Sequence, residues 1–162
     1  MTSRVANGAD AAAITAIYND GIADRVATFE TRPRTTDEVR AWFDGRHPIV
    51  VVEDQGRIVA FASTGTYRPR DCYSGIAEFS VYTARDGRRR GYARAALEAL
   101  FAEAERAGFW KLVSRVFVEN TASRRLLAQA GFREVGVYER HGRLDGRWRD
   151  VVIVEKLLGP AA

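Results

Sequence analysis

The feature that most constrains this chain is a strand pattern that runs, through an arginine-rich glycine loop, into a helix pattern. Residues Ile76–Thr83 form a largely apolar run of strand length, and residues 84–91 contain three consecutive arginines followed by Gly91. Apolar residues then recur at helical spacing until Gly108, a residue type that commonly ends helices. The apolar stripe of this helix consists of Ala93, Ala96, Leu97, Leu100, Phe101 and Ala104. The segment therefore predicts a helix that begins just beyond the end of a buried strand.

The remaining elements predict an α+β fold. After an initial strand, the patterns favour helices at residues 10–23, Asp37–Asp44 and 122–130. They favour strands at Pro48–Glu53, Arg57–Tyr67 and Lys111–Val118. The chain closes with a hairpin of Arg133–Arg143 and Arg147–Leu157, with its turn at Asp145-Gly146. Asp10 and either Thr35 or Thr36 are the expected N-caps of the first two helices. This order is typical of a mixed, mostly antiparallel sheet flanked by helices. Because no linker or repeat interrupts it, we expect a single domain spanning residues 1–162.

Composition excludes several protein classes. The chain is 46% hydrophobic and 28% charged, which is typical of globular proteins and argues against disordered and collagen-like chains. No apolar run approaches the roughly 20 residues of a transmembrane helix. Arg4, Asn7 and Asp10 stand where a signal peptide would have an apolar block. The single cysteine, Cys72, cannot form an internal disulfide. We therefore expect a cytoplasmic protein with no membrane partner.

The basic residues are unusual in type. The chain has 25 basic and 21 acidic residues, and only Lys111 and Lys156 are lysines, so 23 are arginines. Genome composition, a nucleic-acid surface, or sites for small phosphates and carboxylates would each account for this. Arginines that stand next to acids, as in Glu105-Arg106 and Arg133-Glu134, indicate a mixed surface, so a nucleic-acid-binding module is the weakest alternative. No Cys/His/Asp cluster has metal-ligand spacing, and we expect no metal.

The loop before the long helix is a candidate anion site. A helix N-terminus exposes unpaired N–H groups and a partial positive charge, Gly91 lets the backbone approach a ligand, and Ala93 keeps the first turn small. Positive charge is added by Arg88, Arg89, Arg90 and Arg94. This arrangement suits a pyrophosphate, although neither the Walker A pattern nor the Gly-x-Gly-x-x-Gly fingerprint is present.

The run Arg88-Arg-Arg-Gly91-Tyr-Ala93 resembles the Arg/Gln-x-x-Gly-x-Gly/Ala motif of the GNAT N-acetyltransferases. Asn120-x-x-Ser123 and Gly131-Phe132 farther along the chain, and nearly the whole order of elements, are similar to that family as well. The resemblance implies a GNAT fold with splayed strands. It also implies acetyl-CoA as co-substrate, with its pyrophosphate in the loop and its pantetheine arm along the strand end. The residues it assigns to acetyl-CoA are Val81, Tyr82, Thr83, Arg88, Arg89, Arg90, Gly91, Tyr92, Ala93, Arg94, Asn120 and Ser123.

The resemblance also implies a base for the acceptor amine, because an ammonium group has no free lone pair to attack a thioester. Glu78 stands in an otherwise apolar strand, where a carboxylate is costly to bury, and is the candidate base. Alternatively, it points outward or pairs with an arginine. Many relatives have Tyr or His seven residues after the asparagine, where this chain has Leu127. The CoA thiolate would then leave unprotonated, or Tyr82 or Tyr138 would protonate it. A catalytically inactive CoA binder is a further alternative.

Three segments are similar to the phosphinothricin acetyltransferases and their methionine sulfoximine and arsinothricin relatives. They are Ile17–Asp20 with Ala27–Glu30 and Pro33, Tyr67–Tyr73 leading into Ala77–Tyr82, and Asp145–Val151. This resemblance implies a small amino-acid substrate with an α-amine, a carboxylate and a second polar or anionic group. Arg68 and Arg70 would hold an anionic end, Tyr73 would donate a hydrogen bond, and Phe29 would form a pocket wall. The alternative for the two arginines is a solvated loop.

Other acceptors and an oligomeric partner follow from the same resemblance. Another small amine or a protein N-terminus is the alternative substrate, although a cationic substrate would favour an acidic pocket and residues 68–73 are mainly basic. The terminal hairpin with Trp148 is expected to serve a homodimer, as in the similar enzymes.

Overall fold

A seven-stranded mixed sheet forms the centre of the molecule, and the computed structural model describes all residues from 1 to 162. The strands are β1 (Thr2–Val5), β2 (Ile49–Asp54), β3 (Arg57–Thr66), β4 (Ile76–Thr83), β5 (Lys111–Phe117), β6 (Arg133–Leu144) and β7 (Arg147–Leu157). Their order is β1-β2-β3-β4-β5-β7-β6, and every neighbouring pair is antiparallel except β4 and β5. The predicted α+β fold with a mostly antiparallel sheet is confirmed.

Four α-helices accompany the sheet. They are α1 (Ala11–Asp24), α2 (Thr36–Arg40), α3 (Tyr92–Arg106) and α4 (Thr121–Gln129). Thr35 and Glu38 form a capping box, so Thr35 is the N-cap of α2. This helix is shorter than the predicted Asp37–Asp44, because the Asp44 carboxylate accepts hydrogen bonds from the backbone N–H groups of Arg46 and His47, which stabilises a turn instead.

Asp10 occupies the N-cap position of α1, but its side chain does not cap the helix. The Arg4 guanidinium donates two hydrogen bonds to its carboxylate, at 2.8 and 2.9 Å, and the backbone N–H of Asn7 donates a third. Charge-assisted, bidentate bonds are stronger than a neutral bond to backbone, which explains the difference from the prediction. They hold the pKa of Asp10 below its ordinary value. The Asp10 carboxylate thereby links the start of α1 to β1, the strand at one edge of the sheet.

Both faces of the sheet are buried at β2, where successive apolar residues point to opposite sides. Val50 and Val52 pack with α3 in one core cluster, whereas Ile49 and Val51 pack with α1 in another. α4 joins the first cluster through Leu127. The helices thus fix the sheet from both sides and leave the strand ends accessible. No helix combines the length and the apolarity needed to span a membrane.

The single parallel pair in the sheet is short. β4 and β5 pair at three positions, from Ile76 opposite Lys111 to Glu78 opposite Val113. Beyond these positions β4 continues to Thr83 paired with β3 alone, and β5 continues to Phe117 paired with β7 alone. The two strands therefore diverge, as the family resemblance implies, and the backbone edges that face the gap have no partner strand.

Candidate active site

A cleft of about 500 Å³ opens where β4 and β5 diverge. It is bounded by these strands, the segment between α1 and α2, the start of α4, and residues of β6 and β7. Six of the predicted site residues line it: Phe29, Glu78, Val81, Tyr82, Asn120 and Ser123. The cleft therefore brings together the candidate base, the unpaired edge of β4 and the N-terminus of α4.

Glu78 lines the cleft and pairs with Arg115, a residue that the sequence patterns did not single out. Arg115 Nη2 donates to Glu78 Oε1 at 2.7 Å, and Arg115 Nη1 lies 3.2 Å from His141 Nε2. Pairing with an arginine was the structural alternative to a catalytic role. However, the pair lies inside the cleft, the Glu78 side chain is 37% exposed, and its Oε2 receives no hydrogen bond from the protein. One oxygen is held by Arg115, and the other is available to a ligand.

Tyr82 forms an aromatic wall of the cleft. Its ring meets Tyr18 edge-on at 5.2 Å, and it packs so closely on α1 that a Cβ at Gly21 would stand 2.6 Å from it. Burial raises the pKa of the Tyr82 phenol above its ordinary value of 10.0. Such a phenol is a poor proton donor to a thiolate, whose conjugate acid has a pKa of about 8.5. Tyr138 packs against His141 on β6 but does not line the cleft.

Asn120 holds the start of α4 beside the cleft. Its Oδ1 accepts a hydrogen bond from the backbone N–H of Ser123 at 3.2 Å, which makes it the N-cap of α4. Its Nδ2 donates to the carbonyl of Val26 at 3.2 Å, which ties α4 to the segment after α1. Farther along the helix, Leu127 is buried against the cleft and offers no proton.

The start of α3 has the backbone geometry of an anion site. Gly91 occupies the N-cap position with a left-handed φ of 81°, and no side chain caps the helix. A Cβ at Gly91 would have nothing within 4 Å, so the surface above it is open. The first backbone N–H groups of the helix, those of Tyr92, Ala93 and Arg94, have no acceptor within the chain. These residues fit the pyrophosphate of acetyl-CoA.

The arginines that precede Gly91 differ in what they contact. Arg88 binds the carboxylate of Asp24 on α1 at 2.6 Å, and Arg85 binds the same carboxylate at 2.7 Å. Hydrogen bonds from Arg85, which has the larger effect, and from Arg88 lower the pKa of Asp24. Arg89 and Arg90 are exposed and have no carboxylate within 4 Å. The loop is therefore anchored to α1 through Arg88, while the guanidinium groups of Arg89 and Arg90 have no carboxylate partner.

Tyr92 and Arg94, in the first turn of α3, direct their side chains to other parts of the protein. Tyr92 is buried, and its hydroxyl donates to Asp54 at the end of β2. Arg94 donates to Glu98 at 2.8 Å and to the carbonyl of Gln129 at 3.1 Å, so it links α3 to the end of α4. The part of Tyr92 and Arg94 that faces an anion is therefore the backbone N–H.

Phe29 forms the wall of the cleft over β5. Its ring meets Phe117 edge-on, with centroids 4.9 Å apart. On β6, a Cβ at Gly142 would stand 2.8 Å from the Phe29 ring, so this close approach requires glycine. The structure thus places Phe29 at the cleft, and its contact with a substrate stays a prediction.

The basic loop before β4 lies outside the cleft. Arg68 stacks over the ring of Tyr67 at 5.3 Å, and Tyr73 meets the same ring edge-on at 5.7 Å. Arg70 is exposed, and none of Arg68, Arg70 and Tyr73 lines the cleft. Arg68 and Tyr73 thus contact Tyr67, whereas Arg70 is exposed, and a role of these residues in substrate binding stays a prediction.

Arg115 and His141 are cleft residues that the sequence patterns did not predict. Arg115 interrupts an apolar strand just as Glu78 does, so the cost of burying a charge is the signal that would have identified it. His141 looks isolated in the sequence. It reaches the cleft because the pairing of β6 with β7 shifts between Tyr138 and Gly142, and a bulge of this kind re-aims side chains.

The geometry of a splayed parallel pair beside an uncapped, glycine-started helix agrees with one family of known proteins. The family described as "Acetyltransferase (GNAT) family" matches residues 14–132 of this chain. The chain belongs to the GNAT family. The predicted resemblance is confirmed, and this GNAT protein is an acetyl-CoA-dependent N-acetyltransferase.

Relatives of this GNAT acetyltransferase match it over nearly its whole length. It is 34% identical over 159 residues to an L-methionine sulfoximine/L-methionine sulfone acetyltransferase of Salmonella typhimurium, covering 96% of this chain and 93% of the relative. It is 36% identical over 162 residues to a phosphinothricin N-acetyltransferase of Alcaligenes faecalis, covering 97% and 82%. A Salmonella typhimurium acetyltransferase solved with its cofactor acetyl-CoA superposes with a TM-score of 0.94 at 34% identity, covering 100% and 96%.

Proposed function

We propose that this acetyltransferase transfers the acetyl group of acetyl-CoA to the α-amine of a phosphinothricin-like amino acid, with Glu78 as general base. The main support is the cleft between β4 and β5, which presents a carboxylate with one free oxygen beside an unpaired strand edge. Relatives named for phosphinothricin and for methionine sulfoximine support the substrate class. Phosphinothricin, arsinothricin and methionine sulfoximine are the candidate substrates, and their detoxification is the proposed role.

The proposed cofactor site has two parts. The backbone N–H groups at the start of α3, with Arg89 and Arg90 beside them, receive the pyrophosphate. Val81, Tyr82 and Thr83 present backbone groups along the edge of β4 that lacks a partner strand, and the pantetheine arm pairs there. When bound, acetyl-CoA supplies an activated thioester carbonyl between these two parts and the substrate.

Glu78 makes the acceptor amine nucleophilic. Its free Oε2 takes a proton from the substrate ammonium, which releases the nitrogen lone pair. That nitrogen bonds to the carbonyl carbon as the carbon–sulfur bond breaks, and the bonding pair stays on sulfur. Leu127 cannot protonate the sulfur, so CoA leaves as the thiolate, which a thiol pKa of about 8.5 makes a tolerable leaving group. The new amide nitrogen loses its remaining extra proton to solvent, and Glu78 likewise releases the proton that it took, so the products are the neutral amide, the CoA thiolate and two protons.

A thiol-release assay with acetyl-CoA tests the substrate class. The panel contains phosphinothricin, arsinothricin, methionine sulfoximine, methionine sulfone, a polyamine and a short peptide with a free N-terminus. We expect acetylation of the amino-acid analogues with kcat/KM at least about tenfold above the others, which corresponds to about 1.4 kcal/mol of transition-state discrimination. A preference for the polyamine or the peptide, or no thiol release with any compound, would contradict the proposal.

Glu78→Gln tests the base. The variant should lower kcat by about 10²- to 10⁴-fold, the usual contribution of a positioned base. The loss should be greatest at pH values where the substrate amine is protonated, and it should shrink as pH rises. Glu119→Gln is the matched control, because Glu119 pairs with Arg149 outside the cleft lining. A Glu78→Gln enzyme with the pH–rate profile of the wild type would exclude Glu78 as the base.

We also propose that the enzyme is a cytoplasmic homodimer. The β6–β7 hairpin forms a sheet edge on which Val135, Val137, Tyr138 and Trp148 are 46% to 53% exposed. A second copy would cover these apolar side chains. The exposed free thiol of Cys72 suits a reducing compartment. Light scattering should give twice the 18.0 kDa of one chain, and a mass of one chain at micromolar concentration would contradict the dimer.

A further inference from the structure

Arg115 is the only lysine or arginine among the residues that line the cleft. Its guanidinium lies 2.7 Å from Glu78, and 47% of its side chain is exposed. We propose that Arg115 binds the α-carboxylate of the substrate and so makes the enzyme specific for free amino acids over simple amines and peptide N-termini. This inference rests on the proposed acetylation of an amino acid with Glu78 as base.

The Arg115 guanidinium has N–H donors that no group of the protein accepts, and these can bind a carboxylate. A guanidinium carries several N–H groups in a planar fork. One Nη2 hydrogen goes to Glu78, and Nη1 faces His141. The remaining N–H groups have no acceptor within the protein, and they lie at the cleft rather than in the core. Arg115 can therefore bind a second carboxylate while it continues to hold Glu78.

The geometry of an α-amino acid fits this pair of residues. Its amine nitrogen and carboxylate carbon are bonded to the same carbon and lie about 2.5 Å apart. Because Arg115 and Glu78 are in contact, a carboxylate on the guanidinium brings the amine next to the glutamate. Arg115 thus binds the α-carboxylate of the substrate and positions the α-amine beside Glu78.

Other acceptors lack a carboxylate next to the amine, which is the group that Arg115 would bind. A polyamine has no carboxylate and would bring a second positive charge toward the guanidinium. The first residue of a protein has a neutral amide where the free amino acid has its carboxylate. The other acid at the cleft, Glu30, pairs with Arg34 at 2.7 Å and does not compete for Arg115. The cleft therefore favours substrates with a free carboxylate next to the amine.

The test compares an amino acid with its own α-carboxamide. We would measure kcat/KM for methionine sulfone and for methionine sulfone amide with the wild type and with Arg115→Met, which keeps an unbranched apolar stem and removes the donor fork. The wild type should prefer the acid by about 10- to 100-fold, the effect of losing a charge-assisted hydrogen bond. In Arg115→Met the preference should fall to about one. A slower reaction with both compounds, caused by looser positioning of Glu78, leaves this ratio unaffected.

Two further variants make the result specific. Arg115→Lys keeps the charge without the fork and should retain only part of the preference. Arg106→Met removes an exposed arginine that pairs with Glu103 away from the cleft, and should retain all of it. Circular dichroism and the Kd for acetyl-CoA should be those of the wild type in every variant, since Arg115 does not belong to the arginine-rich loop at residues 84–91 that leads into α3 (the α3 loop).

The possible outcomes separate this inference from the proposed function. Acetylation of the amino acid by a wild type that does not prefer it to the amide, or a preference that persists in Arg115→Met, overturns the role of Arg115 and leaves the acetylation of amino acids intact. No acetylation of either compound, or of any amino acid in the substrate panel, refutes the proposed function and this inference with it.

Discussion

Substitution of Gly91 can show whether the loop before α3 binds the pyrophosphate of acetyl-CoA or only shapes the backbone. The Gly91 φ of 81° lies in the left-handed region, which costs an L-residue about 1–2 kcal/mol, whereas a Cβ there would meet no atom within 4 Å. Gly91→Ala should therefore lower the free energy of unfolding by about 1–2 kcal/mol, through backbone conformation alone. It should also raise the Kd for acetyl-CoA about 10- to 100-fold, because the methyl group separates the pyrophosphate from N–H groups whose charge-assisted bonds contribute about 1.5–3 kcal/mol.

Gly45 provides the matched control. It has a φ of 77°, a Cβ there would also meet nothing within 4 Å, and it lies between α2 and β2, outside the cleft lining. Gly45→Ala should show the same loss of unfolding free energy with an unchanged Kd. Urea denaturation of the ligand-free protein measures the first quantity, and calorimetry with acetyl-CoA measures the second. A wild-type Kd for Gly91→Ala, or equal changes of Kd in both variants, would refute the assignment of the α3 loop to the pyrophosphate.

Two further predictions concern the contacts that hold the site in place. Asn120→Ala should lower the free energy of unfolding by about 0.5–2 kcal/mol, because α4 loses its N-cap, and urea denaturation that matches the wild type would contradict this. Because Arg4 stabilises the ionised form of Asp10, its contribution should be present above the ordinary carboxyl pKa of 3.8 and be lost as pH falls through the lower folded value. Asp10→Asn should flatten that part of an acid-unfolding curve, and an unchanged curve would exclude the linkage.

Local chemistry made much of the fold predictable. The strand Ile76–Thr83 has the predicted bounds in the structure, because its apolar run is bordered by Gly75 on one side and the arginine-rich loop on the other. The hairpin turn at Asp145 and Gly146 has positive φ at both residues, as a two-residue turn of this type requires. Gly91 begins the long helix for a similar local reason. In each case one or two neighbouring residues determine the backbone.

The rest depends on contacts between residues that are far apart in the chain. Arg115 and Glu78 belong to different strands, and only the parallel register of β4 and β5 brings them together. His141 depends on a shift in strand pairing, which residue types do not reveal. Arg4, which draws the Asp10 carboxylate away from its own helix, is itself held by Glu53 on β2, 49 residues away. Tertiary partners decided these positions, so a pattern along the sequence was not sufficient to predict them.

The short parallel pair between β4 and β5 has a consequence for stability as well as for binding. It divides the sheet into two antiparallel halves, each continuous in sequence, that are joined by three residue pairs, by the Arg115–Glu78 ion pair and by one shared core cluster. A ligand that contacts both strands adds a further link between the halves. Saturation at about 100 times Kd would add about 2.7 kcal/mol to the free energy of unfolding. Amide exchange near the junction should slow accordingly, so the enzyme would be most rigid while it holds its substrates and would loosen when the product departs.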